Sequence, residues 1–235
     1  MPVDASLVGA RGTSASNTVS TTGGSVTTGD TLVAIVSYDP GVTISSVSDT
    51  ASNTYTLIQN NTGGNGHLAM YRCDNATGNA SNVLTVNFSG TAYPVAHLIK
   101  VTDAETASYD SGSLASASPT AIPWEVTSGT LDQADSVLIT CSEANRNGGT
   151  GSYSIGGSFT LLSEEPDANN YWTSAVAKLV VASTSAVTAS WSKTGESTSG
   201  VSRSIIIAAF KQTTGGGGGI AFQVFYQPTN VKLRM

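Results

Sequence analysis

The chain's 235 residues can bury a substantial core, as one large β domain or two small ones. Only 11% of residues are charged and 39% are apolar, with Ser, Thr, Gly, Val and Asn dominating; this favours strands and turns over helices and excludes a disordered chain. A formal charge of −6 without any Lys/Arg cluster excludes a general nucleic-acid binder, and no apolar stretch approaches membrane-spanning length.

The opening "MPVDASLVGARG" has neither a basic start nor an apolar run, so no secretory signal is expected. Residues 1–17 read as an N-terminal arm or first strand. Alternating apolar and polar residues, bounded by Gly, Asn, Asp and Pro, then predict strands at 31–38, 67–73, 82–88 and 95–101. Further strands are predicted at 136–142, 158–164, 174–182, 186–191 and 202–210. No segment carries capped helical periodicity. The fold class is therefore all-β, an antiparallel two-sheet sandwich spanning 18–212.

The halves echo one another. "GDTLVAIVS" from Gly29 matches "ADSVLITCS" from Ala134, "YTLIQN" from Tyr55 matches "FTLLSE" from Phe159, and "LTVNFSG" from Leu84 matches "VTASWSK" from Val187. The offsets of 105, 104 and 103 drift as short loop deletions would make them. The join "SYDSGSLASASPTAIPWEV" keeps strand-like apolar residues where a linker would turn polar, which favours one sandwich with equivalent halves over two separable domains.

Candidate sites are sparse. "VSDTASNTYTLI" gathers Asp49, Asn53 and several hydroxyls, and a hairpin turn explains it, since Asp and Asn side chains bond the backbone two residues on. His67 and His97 both lie in strand-like runs and no G-x-S-x-G elbow occurs, so no serine triad is expected. Glu164 and Glu165 are neighbours facing opposite ways on a strand, which argues against a glycosidase pair; Glu125 and Glu143 stay open. "EEPDANN" and "YDPG" carry turn oxygens without any EF-hand spacing, and neither Cys73 nor Cys141 has a second Cys or His nearby. No catalytic residue, metal or cofactor is predicted. The two cysteines read as buried free thiols. Tyr153, Tyr171 and Trp172 lie in or beside loop-like sequence and are the candidates for a carbohydrate-stacking platform, whereas Trp124 and Trp191 read as packing residues.

The end of the chain differs from the rest. Five glycines precede "IAFQVFYQ", in which Ile220, Phe222, Val224 and Tyr226 share one face while Phe225 takes the other. Lys232 and Arg234 follow with no acid, so residues 1–219 carry 8 basic against 16 acidic residues, a formal −8, and the tail carries +2. Residues 213–235 thus read as a Gly-rich tether and docking strand, with Ile220, Phe222, Val224, Phe225, Tyr226, Lys232 and Arg234 as partner-binding residues.

"GDTLVAIVSY", "ISSVSDTASNTYTLI", "LAMYRCDNATGNASNVLTVNFSG" and "HLIKVTDAE" together resemble a β-sandwich family of phage and prophage virion structural proteins. The likeness is diffuse, covers roughly 18–212 and includes no catalytic motif. It implies a jelly-roll-like sandwich displayed on a virion assembled in the host cytoplasm. The expected function is a non-enzymatic capsid decoration protein, bound to the major capsid protein or another virion protein through the C-terminal strand or an N-terminal arm at 2–12. A homo-oligomer on the particle is expected, with no nucleic-acid or membrane partner. A carbohydrate-binding tail or fibre module is the first rival, and a glycan hydrolase the second.

Overall fold

The computed structural model describes residues 2–145, 151–166, 172–195 and 203–213, and within them the chain is all-β with antiparallel pairing. The first half runs β1 (Asp4–Gly12), β2 (Ser16–Ser20), β3 (Gly24–Val26), β4 (Thr31–Tyr38), β5 (Ile44–Asp49), β6 (Thr56–Asn61), β7 (His67–Cys73), β8 (Asn79–Asn82), β9 (Leu84–Ala92) and β10 (Val95–Thr102). The second runs β11 (Ala104–Ala117), β12 (Trp124–Thr127), β13 (Ser136–Asn145), β14 (Tyr153–Ile155), β15 (Thr160–Pro166), β16 (Trp172–Val181), β17 (Thr188–Lys193) and β18 (Ile205–Gln212). No helix among the described residues is long and apolar enough to cross a membrane.

Two five-stranded sheets, ordered β1-β10-β4-β7-β6 and β11-β18-β13-β16-β15, pack face to face. Val33, Ile35, Met70 and Ile99 of the first meet Val137, Ile139, Val176 and Phe210 of the second in this middle layer. Each sheet carries a three-stranded sheet on its outer face. β2-β9-β5 covers the first through Val19, Leu84 and Val86, and β12-β17-β14 covers the second through Trp124, Ala189 and Trp191.

This layering explains two apolar patterns in the sequence. β4, "TLVAIVSY", is buried at all eight positions because both of its faces are covered, so it reads as a near-continuous apolar run. β9 and β17 lie in outer sheets with one face toward water, and their burial alternates along much of each strand. The sequence pairs noted above fall at the same rank in each half: on β4 and β13, on β6 and β15, and on β9 and β17.

Hydrogen bonds stitch the halves together as well. Buried Asn61 donates from Nδ2 to the carbonyls of Ala117 (2.7 Å) and Ile205 (3.3 Å), while its Oδ1 accepts from Ser118 Oγ (3.1 Å). Separating the halves would expose the entire middle apolar layer and strand these polar groups. Limited proteolysis between 105 and 130 is therefore expected to give unfolded or aggregated fragments. Two stable, soluble halves on a sizing column would contradict this.

Candidate functional site

The stretch around Asp49 is a structural hub. Asp49 Oδ1 accepts from the backbone N–H groups of Ala51 (3.1 Å) and Asn53 (2.9 Å), which closes the turn after β5. Its Oδ2 accepts from Asn53 Nδ2 (2.9 Å), Tyr55 Oη (2.8 Å) and the fully buried Asn82 Nδ2 (2.8 Å). Burial pushes this carboxyl up, but the bonds from Asn82, Asn53 and Tyr55 outweigh it and hold the group below its ordinary value. A carboxylate with five donors already aimed at it is occupied with structure.

The histidines pack. His97 is fully buried in β10, with its ring against the Ser174 backbone. Burial lowers its pKa to about 3 and outweighs the opposing pull of the Ser174 backbone, so the ring is neutral. His67 stacks edge-on against Tyr38 at 5.2 Å.

One acid is placed unlike the rest. Glu143 lies on β13 at the parity of Val137, Ile139 and Cys141, so it points into the middle layer and is fully buried. Its Oε1 accepts from Ser204 N (3.0 Å), and its Oε2 faces the Gly66 backbone. Gly66 lines this position because a Cβ there would fall 2.4 Å from Oε2 and 2.6 Å from the Trp172 ring. Burial raises the Glu143 pKa to about 7, against lowering by the Ser204 backbone, the nearby Arg203 charge and the Gly66 backbone; Asp39 adds to the rise. Glu143 holds a proton near neutrality, but no polymeric substrate reaches it. Glu125 is exposed on β12, opposite Ser190, and Glu164 and Glu165 pair with Ala175 and Ser174 on opposite faces of β15. Asp39, from the "YDPG" turn, accepts from Trp172 Nε1 and from the Tyr93 backbone, so it ties the far ends of the two five-stranded sheets together. Among the described residues no three His, Cys, Asp or Glu side chains are grouped to hold a metal ion.

The candidate sugar platform is not on the surface where it can be seen. Tyr153 is 5% and Trp172 7% exposed. Tyr153 stands edge-on to Trp191 (5.9 Å) and Trp124 (6.4 Å), and its hydroxyl donates to the Thr173 carbonyl (3.0 Å). Tyr153, at the start of β14 in the outer sheet, turns its ring inward onto that sheet's own core cluster, and Trp172, at the start of β16, lies at the parity of Val176 beside Gly66 and Asp39, so both rings are packed rather than presented. The third candidate, Tyr171, lies outside the described residues, as do 167–170 of the acidic loop. Cys73 and Cys141 are free and buried, and burial raises both thiols.

What remains is the end of the molecule where the chain enters and leaves the fold. Asp4–Gly12 pairs with β10 along its length, and a Cβ on Gly9 would sit 1.9 Å from the Thr22 carbonyl oxygen. Backbone packed this closely belongs to the body, which removes 2–12 as a free anchoring arm. The start of β1 meets the end of β18, where Val3 N donates to Gln212 Oε1 (3.4 Å). The described chain ends one residue later, at Thr213, held by its N–H to the Asp103 carbonyl (2.8 Å). Thr213 itself lines an open cleft of about 420 Å³ with Thr27–Asp30 and Thr102–Ala104, and a second open cleft of about 370 Å³, between the start of β1 and the end of β16, reaches the exit through Val3. The docking residues named from the sequence, Ile220, Phe222, Val224, Phe225, Tyr226, Lys232 and Arg234, lie outside the described residues. Comparison of the chain with protein-family models, with curated proteins and with solved structures found no match.

Proposed function

We propose that this chain is a structural protein of a phage virion, a capsid decoration protein whose sandwich body projects from the shell. In this reading residues 214–235 attach the body to the major capsid protein or another virion protein, and repeated copies sit on one particle assembled in the host cytoplasm. The observation that carries the reading is the exit at Thr213. The body ends in a well-held strand, and the Gly-rich, basic, aromatic segment begins at the same end as the N-terminus. A body of formal charge −8 with a tail of +2 suits one-ended docking on an acidic surface. The equal strand order of the two sheets supports a body of two equivalent halves.

Burying the Ile220, Phe222, Val224 and Tyr226 side chains contributes roughly 1.5–3 kcal/mol each. Ordering the backbone opposes this by roughly 1–2 kcal/mol per residue, so tight attachment draws on main-chain pairing and on many symmetric copies. The carbohydrate-binding alternative loses Tyr153 and Trp172 to the core. A glycan hydrolase would have to use acids other than Glu143.

Deleting 215–235 is expected to leave a folded, soluble body that no longer joins particles, read by circular dichroism and by co-sedimentation with assembling shells. Normal incorporation of the truncated chain would overturn the attachment reading.

A further inference from the structure

The cleft between the start of β1 and the end of β16 has the features of a strand receptor. β1 and β15 are end strands of their sheets, and they lie against one another, so two edges meet here. The β15–β16 ladder starts at Thr160 opposite Lys178, so Leu179, Val180 and Val181 extend past it with their β15-side edge open in that ladder. Val180, 44% exposed, gives the cleft an apolar floor beside the buried Val3, while Leu179 turns to the other face of β16. Lys178 closes one wall by pairing with Asp4 and donating to the Ala5 carbonyl (2.6 Å).

The chain itself supplies a segment that fits. Lys211 lies opposite Ser136, and Ser136 lies opposite Val181, so β18 is two strand spacings from β16, about 10 Å. Residues 214–219 span at most about 20 Å when extended, which is enough to bring Ile220 to the cleft from Thr213. The alternation Ile220, Phe222, Val224, Tyr226 offers one apolar face to the floor and a backbone edge to Leu179–Val181. Charge agrees as well. Asp103, Asp132 and Asp135 lie in the turns at this end, and Lys232 and Arg234 follow the apolar segment.

We infer that this cleft is the seat of the chain's own C-terminal segment, Ile220–Tyr226, which is stored on the body until a virion partner takes it up. The storage role rests on the attachment reading above, whereas the seat itself does not. A tether as short as residues 214–219 gives an effective concentration on the order of 1 mM, so at micromolar protein the chain's own segment outcompetes a neighbour's. Storage also keeps an apolar strand from pairing with other copies before assembly.

The test is a disulfide-trapping experiment on the full chain. The double variant Val180→Cys/Phe222→Cys is oxidised at several micromolar concentrations, beside the control Leu57→Cys/Phe222→Cys, whose first site is 49% exposed on the opposite edge strand, β6. The expected result is an intrachain disulfide that forms at a rate independent of protein concentration and at least about tenfold faster than in the control. Interchain dimers instead would overturn the inference in favour of exchange between copies, and equal rates in both variants would overturn it altogether. Hydrogen exchange gives a second readout, because Phe222→Asp should deprotect those amides of Leu179–Val181 that face away from β13 and leave β4 unchanged. The two readings fail separately: the cross-link reports the seat, while particle joining by the 215–235 deletion reports attachment.

Discussion

Glu143→Gln is expected to stabilise the protein by about 3 kcal/mol at pH 8 and to change little at pH 5. The free carboxyl titrates near 4.5 and burial raises it to about 7 in the fold, so the native state binds the proton more tightly across that interval. Stability from this group is therefore full below about pH 4.5 and is lost as pH rises through 7. Gln is isosteric with the protonated acid and keeps an acceptor for Ser204 N, so it reproduces the low-pH state at every pH. The charged neighbours Arg203 and Asp39 pull in opposite directions and are unchanged by the substitution. His97 works the other way: its pKa is depressed from 6.5 to about 3, so its contribution is present above 6.5 and lost as pH falls. Taking the difference between variant and wild type cancels the His97 contribution. Urea unfolding at pH 5, 6, 7 and 8 measures that difference, and a flat profile would mean that Glu143 is ionised in the fold or reached by water.

Asp49→Ala is expected to cost about 3–5 kcal/mol, because it removes the acceptor for five donors and leaves the buried Asn82 amide without one. For a chain of this size that is a drop in Tm on the order of 10 °C. Asp49→Asn keeps one carbonyl oxygen but turns an amide toward Asn82 and Tyr55, so an intermediate loss is expected. The pH dependence has the usual carboxylate sign. The folded pKa lies below the ordinary 3.8, so the contribution is present above that value and lost as pH falls through the folded one. The Asn variant should therefore show a shallower acid limb. A loss below about 1 kcal/mol for Asp49→Ala in thermal unfolding would show that the turn closes without its carboxylate.

The Asp49 turn shows how far local chemistry was legible. Asp and Asn four apart, followed by Tyr55, announce a turn because those side chains bond nearby backbone. Asn82, thirty-three residues further on, is invisible to that reasoning, yet it makes the turn a junction between β5 and the region just before β9. Glu143 is a similar case. The alternation Val137, Ile139, Cys141, Glu143 is written in "SVLITCSEAN" and places the acid on an inward face, but nothing local says that the face is covered at that point. Tyr153 and Trp172 were misplaced for the converse reason. They neighbour loop-like sequence, and only the tertiary packing buries them, Tyr153 by turning inward from the outer sheet and Trp172 by lying against Gly66 and Asp39.

The sequence by itself determined the all-β class and the position and inward parity of the longer apolar strands, because a period-two pattern is a local property of the backbone, whereas polar strands such as β5, β8 and β11 carry too little of that pattern to be read. The difference between the continuous run of β4 and the alternation of β9 was also present in the sequence, as a record of how many faces water touches. Only the tertiary structure decided which faces meet: that two five-stranded sheets share a middle layer, that each takes an outer sheet, and that residues 4–12 are body while the chain leaves beside them at Thr213. Apolar burial is non-directional, so an apolar face specifies that it must be covered and is silent about its partner. The partner is chosen by shape, register and a few buried polar groups such as Asn61, whose hydrogen bonds reach 56 and 144 residues along the chain.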